Sequence, residues 1–158
     1  GSFHLWLPIT GLSSPGTFFT APNPDTTLVI PSCASSLLSV AAYDADSNRL
    51  FLNSGRGYTQ NEIIKPDLAA PGVSVTAPVA GGGYEAFTGS CAASALTAGA
   101  TALLAQGGRQ MHPPLTFTAQ QVKMLFLRGS RQSSAYVYPN REWGYGTLDL
   151  YHTFELIV

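Results

Sequence analysis

The sequence predicts an α/β fold with a mostly parallel sheet and buried helices. The apolar run over residues 37–43 lies between polar clusters, which is typical of a strand buried on both faces. Residues 91–106 are almost all Ala, Leu, Ser, Thr and Gly and carry no charge, which indicates a helix enclosed in a core. Strand-like and helix-like segments alternate along the chain, and this alternation is the pattern of an α/β sheet.

The N-terminal part of the chain, residues 3–31, predicts short strands separated by turns. Turn-forming residues occur at 15–16 (Pro-Gly) and at 23–25 (Asn-Pro-Asp). The β-branched run over 26–30 predicts a strand, which ends at Pro31.

The middle of the chain predicts strands and turns before the central helix. The turn over 44–48 follows the buried strand, and its two Asp residues are too sparse for a calcium loop, so we expect a solvated turn. Residues 73–77 alternate as in a strand. A triple-glycine turn at 81–83 then leads into a predicted strand over 84–87.

Two more helices are predicted near the C-terminus. The first starts at Thr118, where Thr-Ala-Gln-Gln has the form of a capping box, and Gly129 marks its end. Its core face has i, i+3, i+4 spacing and consists of Val122, Leu125 and Phe126. A short closing helix is predicted over 149–156.

Composition leaves one structural question open and excludes several functions. Charged residues are 11% of the chain, against about 25% in an average domain. Either the surface is neutral and rich in Ser, Thr and Gly, or part of it is buried against another segment. A net charge of -1 without a basic stripe argues against nucleic acid as a partner. No apolar run reaches the roughly 20 residues of a membrane span. The N-terminus has no signal-peptide pattern, and the sequence does not predict the localisation.

The two cysteines, Cys33 and Cys91, have no metal-type spacing, so neither a metal nor a cofactor is predicted. A disulfide between them has no support in the sequence. Composition alone predicts that Cys33 packs against its neighbours after a turn, and that Cys91 is a small buried residue of an Ala-rich helix.

Four stretches occur in the order found in one peptidase family. Residues 36–43 resemble its strand x-V-I-x-V-G-A, residues 51–57 its F-S-x-x-G, and residues 65–73 its K-P-D-(L/V)-x-A-P-G-V. Residues 89–99, Gly-Ser-Cys-Ala-Ala-Ser-Ala-Leu-Thr-Ala-Gly, resemble the segment that carries the family's nucleophile. On these blocks the chain resembles the subtilisin-like serine peptidases, or subtilases.

Further stretches resemble the Csp-type clostridial germination branch, at 3–8, 22–28, 54–57 and 138–146. The resemblance implies one partial catalytic domain over residues 1–158 that corresponds to the C-terminal portion of the family's domain. The Asp-x-Gly, His-Gly-Thr and Ala-Ala-Gly-Asn blocks, which hold the family's Asp, His and oxyanion Asn, do not occur in this chain.

In this resemblance Cys91 stands at the nucleophile position, where the family has Ser, and Ser90 stands where it has Thr. A helix N-terminus favours a thiolate, and the backbone N–H of Cys91 could donate one hydrogen bond to an oxyanion. The implied reaction is attack on a peptide carbonyl, then hydrolysis of an acyl-enzyme. Three histidines are candidate bases, and none lies in a motif that matches the family's His: His4, His112 and His152.

The leading hypothesis is the C-terminal portion of a subtilisin-like endopeptidase, inactive by itself. The expected partners are a protein or peptide substrate and either the N-terminal portion of the domain or a second chain. Self-association would also cover bare surface. No nucleic acid or membrane is expected. The alternative is a non-catalytic pseudoprotease that keeps the scaffold for binding or regulation, and a functional thiol peptidase is a third hypothesis.

Overall fold

The computed structural model of the chain describes residues 3–8 and 11–158. None of the helices in this described part is long and apolar enough to cross a membrane. The strands and helices are β1 (Val40–Asp44), β2 (Arg49–Leu50), β3 (Leu68–Pro71), β4 (Val75–Pro78), β5 (Tyr84–Phe87), α1 (Ser90–Gln110), α2 (Ala119–Gly129) and α3 (Leu150–Glu155).

The main sheet has the order β2-β1-β3, and β1 pairs with β3 in parallel. β2 adds a short antiparallel pair to the end of β1, at Tyr43 and Asp44. Thr147 forms a parallel bridge to Ala69, on the other edge of β3. The second sheet is the antiparallel hairpin of β4 and β5. With the three helices, this arrangement confirms the predicted α/β class.

Small side chains let α1 approach the sheet closely. Ala42 and Ala70 are fully buried and pack against Ala93 of α1. A Cβ on Gly72 would lie 2.7 Å from the Cβ of Ala42 and 2.9 Å from the carbonyl oxygen of Gly89. Because real side chains cannot come that close, only glycine at this position lets the start of α1 rest against the sheet.

Two further clusters complete the core. On the opposite face of the sheet, Ala41 and Ala69 pack against the buried indole of Trp143. The largest cluster lies where the helices meet β3, and its buried members are Leu68, Ala100, Leu104, Val122 and Phe126. Two of the three residues of the predicted core face of α2 are therefore buried.

α2 begins where the sequence predicts. Thr118 is its N-cap: its Oγ1 accepts a hydrogen bond from the Gln121 N–H at 3.3 Å, and Gln121 Oε1 accepts one from the Thr118 N–H at 2.8 Å. This confirms the capping box, which satisfies N–H groups that helix geometry leaves open. Asp149 caps α3 by accepting from the His152 N–H at 2.9 Å, and the predicted closing helix is confirmed with small differences at its ends.

A buried charge cluster ties α2 to the starts of β1 and β3. Lys65 is fully buried, and its ammonium lies 2.6 Å from Asp67 Oδ2 and 2.5 Å from the carbonyl oxygen of Leu37. Lys123 of α2 lies 2.7 Å from Asp67 Oδ1, and the Ser39 N–H donates to Asp67 Oδ2 at 2.7 Å. Burial lowers the pKa of Lys65, and the hydrogen bond to Asp67 acts against that shift.

The strand predicted over 26–30 is wrong. Thr26 has a left-handed backbone with a φ of 58°, which interrupts an extended pleat. The N–H groups of Thr26 and Thr27 donate to the carbonyls of Gly57 and Arg56, which belong to an irregular segment. The described part of the N-terminal region contains turns and irregular backbone instead of the expected short strands.

α1 is longer than predicted and is buried along one stripe. It runs past residue 106 to Gln110, and the residues of its buried stripe are Ala93, Thr97, Ala100, Leu104 and Gly108. The composition of the helix indicates enclosure on all sides, whereas Leu96 and Leu103 on the other side are 40% and 53% exposed in this chain. The strands over 73–77 and 84–87 are present as β4 and β5, with β4 shifted by two residues at its start.

Candidate functional site

Cys91 lies at the very start of α1. It is the second residue of the helix, and the residue is exposed. The N-cap residue Gly89 has a φ of 154° and a ψ of 166°, a backbone conformation that L side chains rarely adopt. Glycine at position 89 therefore permits the turn from β5 into α1 that presents Cys91.

The start of α1 is held at the carboxyl end of β3. The Gly89 N–H donates to the carbonyl of Gly72 at 2.7 Å, and Gly72 directly follows Pro71, the last residue of β3. In open α/β sheets, ligands bind outside the carboxyl ends of the strands. In the sequence, Gly72 is part of the block over residues 65–73, and its positioning role is not predicted there. Its place directly after Ala-Pro is the signal that could have indicated this role.

The N-terminus of α1 presents open hydrogen-bond donors. Gly89 provides no side-chain cap, and the first turn has no acidic residue. The Gly89 carbonyl accepts from the N–H groups of Ala92 and Ala93, at 3.1 and 3.5 Å. Helix geometry gives the N–H groups of Ser90 and Cys91 no acceptor within the helix. These donors and the positive end of the helix dipole would stabilise an oxyanion here.

Cys91 lines an apolar groove of about 1060 Å³ between α1 and the β4–β5 hairpin, which we call the α1 groove. One wall is the hairpin and the other is the exposed side of α1. Apart from the Cys91 thiol, no ionisable side chain lines the groove among the described residues. The residues that give the groove its apolar character include Val75, Ala77, Phe87, Ala95, Leu96, Gly99 and Leu103.

The three candidate bases do not line the α1 groove. His4 stacks on Trp6 with ring centroids 5.6 Å apart, His112 follows the end of α1, and His152 lies in α3. No Asp or Glu lines the groove either. Over residues 3–8 and 11–158, the groove therefore brings no imidazole or carboxylate to Cys91.

The second cysteine lies apart from this site. Cys33 is half-buried, and its Sγ lies 3.4 Å from the carbonyl oxygen of Leu28. Both thiols are free. The part of the chain that the structure describes contains no group of three or more His, Cys, Asp or Glu side chains that could hold a metal ion.

Comparison with known proteins relates these features to one family. The model of the subtilase family matches residues 17–146. The CspB protease of Clostridium perfringens has a TM-score of 0.81 and 34% sequence identity, over 89% of this chain and 31% of that protein. The patellamide maturation protease PatA has a TM-score of 0.68 and 25% identity, over 85% of this chain and 48% of that protein.

A further structure, the prenylagaramide maturation protease PagA, has a TM-score of 0.70 at 21% identity and covers 85% of this chain, which shows the fold alone. The chain spans between about a third and a half of the length of these structural relatives. No curated protein matches the sequence.

Proposed function

The chain belongs to the subtilase family as a Csp-like fragment of a subtilisin-like protease domain, and from this premise we propose that Cys91 occupies the nucleophile position of an endopeptidase. On this proposal residues 1–158 form a single partial domain, the C-terminal portion of the catalytic domain. The observation that carries the proposal is the position of Cys91, exposed on the first turn of α1 and next to the carboxyl end of β3.

The proposed substrate is a protein or peptide. In the parent reaction the nucleophile at position 91 would attack the scissile carbonyl carbon, and the N–H of residue 91 would donate to the resulting oxyanion. The amine leaves, and water then hydrolyses the acyl-enzyme. A base must accept the proton of the nucleophile and later deliver a proton to the amine. Because no imidazole lines the α1 groove in the described residues, we propose that residues outside this sequence or on a second chain supply the His, Asp and oxyanion Asn.

The test compares this 158-residue chain with the longer polypeptide that the proposal requires. In the longer polypeptide, Cys91→Ser should hydrolyse peptides at least ~100-fold faster than Cys91→Ala, because loss of a nucleophile removes most of a triad's rate enhancement. Cys33→Ser is the matched control, and when it is added to the Cys91→Ser polypeptide it should leave the rate of peptide hydrolysis unchanged. The 158-residue chain should not hydrolyse peptides with either Cys or Ser at position 91. Robust hydrolysis by the short chain would contradict the need for a base from elsewhere.

A non-catalytic pseudoprotease is the second candidate function. It is favoured by the sulfur at position 91 and by the α1 groove, which has no ionisable partner for that sulfur among the described residues. If Cys91→Ser in the longer polypeptide remains as inactive as Cys91→Ala, the site has been lost elsewhere as well, and a binding or regulatory role follows.

A thiol peptidase, the third hypothesis, makes a separate demand. This hypothesis requires the native Cys91 sulfur itself to be the nucleophile, and the reactive form of a cysteine is its thiolate. Alkylation by iodoacetamide at neutral pH should then be at least about tenfold faster at Cys91 than at Cys33. Equal rates, after allowance for the half-buried position of Cys33, would argue against this hypothesis.

A further inference from the structure

The indole N–H of Trp143 is a buried hydrogen-bond donor without an acceptor. Trp143 is 2% exposed, and its Nε1 has no hydrogen-bond partner among residues 3–8 and 11–158. Removing an N–H from water costs free energy that only a hydrogen bond offsets, so nearly all buried polar groups in folded proteins have a partner. The packing of the ring on Ala41 and Ala69 explains its burial but supplies no acceptor. The open N–H therefore indicates an acceptor from outside the described part of the chain.

Trp143 lines a cavity of about 80 Å³, which we call the Trp143 cavity. This is about the volume of two or three water molecules, at roughly 30 Å³ each, and a carboxylate group has a similar number of heavy atoms. Tyr136 lines the same cavity and stacks on the indole, with ring centroids 5.6 Å apart. Because Tyr136 is 44% exposed, the cavity lies at the surface, where a solute can approach it.

Most of the other polar groups around the Trp143 cavity already have partners. Gln132 Nε2 donates to the carbonyl of Tyr145 at 2.9 Å, and Ser133 Oγ accepts from the Ala135 N–H at 3.2 Å. The hydroxyl of Tyr138 accepts from the Ser133 N–H at 3.3 Å. These hydrogen bonds hold the walls of the cavity in place, and they leave the Trp143 N–H as its buried open donor.

Arg131 adds a positive charge to the lining of the Trp143 cavity. Its side chain is 80% exposed, and its one ion pair in the described part of the chain is a long contact of 3.8 Å from Nε to Asp149 Oδ2. No Asp or Glu lines the cavity among the described residues. Indole and guanidinium groups only donate hydrogen bonds. A matching ligand must therefore accept them, and the planar guanidinium fits the two oxygens of a carboxylate.

We propose that the Trp143 cavity binds a carboxylate group, whose oxygens accept hydrogen bonds from the Trp143 indole N–H and the Arg131 guanidinium. The carboxylate belongs either to a small free acid or to an acidic side chain of a polypeptide. None of the residues that line this cavity lines the α1 groove. The proposal is therefore independent of Cys91 and of the proposed function.

The test follows the indole N–H signals of the 158-residue chain by ¹H–¹⁵N NMR. The chain has two Trp, and Trp6→Phe assigns the two signals. Sodium acetate is titrated at neutral pH, and sodium chloride keeps the ionic strength at about 0.1 M so that screening stays constant. The Trp143 signal should move downfield and saturate, because a charged acceptor deshields the donated proton. The Trp6 signal should not move, since its N–H already donates to the carbonyl of Thr26 at 3.0 Å.

Two matched substitutions test the role of the charge. Arg131→Gln should weaken acetate binding by at least about tenfold, because it removes a charge-assisted hydrogen bond. Arg128→Gln is the control, since Arg128 is also exposed but does not line the Trp143 cavity. It should change the affinity by less than about twofold, because its charge is screened by solvent.

A Gly-Glu-Gly tripeptide with blocked ends distinguishes the two sources of the carboxylate. Binding at least about tenfold tighter than that of acetate would assign the Trp143 cavity to an acidic segment of a polypeptide. Equal affinities would assign it to a small free acid.

Three results would overturn the proposal. They are a Trp143 signal that acetate does not move, equal shifts of the two indole signals, and an Arg131→Gln variant that binds acetate as the wild type does. If the Trp143 N–H shows exchange cross-peaks to water and no response to acetate, the cavity holds water only.

Discussion

Gly72 and Gly89 are the two residues that decide where Cys91 lies. Gly72 removes the Cβ that would collide with Ala42, and Gly89 adopts the backbone conformation that turns β5 into α1. Their direct hydrogen bond of 2.7 Å joins the end of β3 to the start of the helix. The thiol owes its exposed position at a helix N-terminus to these two glycines rather than to any contact of its own.

Asp67 is the residue whose loss should destabilise the fold most among the charged positions. It is the counter-charge of Lys65, which is fully buried, and it also contacts Lys123. We expect Asp67→Asn to lower the free energy of unfolding by about 3–5 kcal/mol, because it leaves a buried ammonium without its partner. Chemical denaturation followed by circular dichroism measures the change.

The matched control is Glu142→Gln, which breaks the pair of Arg56 and Glu142. The side chains of that pair are 26% and 35% exposed, and exposed pairs contribute about 0–1 kcal/mol. Similar losses for Asp67→Asn and Glu142→Gln would contradict the importance assigned to the buried cluster.

At the scale of secondary-structure elements, α2 depends on its first residue. Thr118→Ala removes the side-chain acceptor of the capping box and should lower the free energy of unfolding by about 1 kcal/mol. Thr116→Ala, at an exposed position just before the helix, should change it by less than about 0.5 kcal/mol. Thermal or urea unfolding of the two variants measures the difference, and equal losses would show that the cap is not used.

The contact of α2 with α3 depends on Gly129. A Cβ at this position would lie 2.8 Å from Thr153 Cα and 3.0 Å from Thr153 N, so the two helices would have to separate. We expect Gly129→Ala to destabilise the chain by about 1–3 kcal/mol through overpacking. The readout is the midpoint of urea unfolding.

Gly99→Ala on α1 is the control for that substitution. Its added Cβ meets nothing within 4 Å, and alanine favours helix interiors by about 1 kcal/mol over glycine. In the 158-residue chain it should therefore raise stability. A neutral or stabilising Gly129→Ala would disprove the close approach of α2 and α3.

At the scale of the whole molecule, the exposed area should reduce the cooperativity of unfolding. With a mass of 16.7 kDa and an accessible area of 10480 Å², the chain buries about a sixth less surface on folding than a compact protein of its size. Because the urea m-value scales with the surface exposed on unfolding, we expect it to be about a sixth lower than for such a protein. A normal m-value, measured by urea unfolding of the 158-residue chain, would show that self-association already covers the surface.

Local sequence signals determined several features of this protein. The capping box fixed the start of α2, the triple glycine marked the turn between β4 and β5, and the small uncharged segment identified α1. The order of the sequence blocks indicated the subtilase family, which the family match confirms. These signals act over a few residues or follow a fixed spacing, so they can be read without knowledge of the fold.

The tertiary structure decided the features that depend on distant contacts. Lys123 joins Asp67 from 56 residues away in the sequence. The β-branched run at 26–30 is not a strand: Thr26 has a left-handed backbone, and the N–H groups of Thr26 and Thr27 bond to an irregular segment near Gly57. The apolar composition of α1 indicated burial, but the packing of the sheet on one side determines which side is covered within this chain. Composition shows that a segment is apolar and is stabilised by burial, whereas only the packed chain shows which residues cover each of its sides.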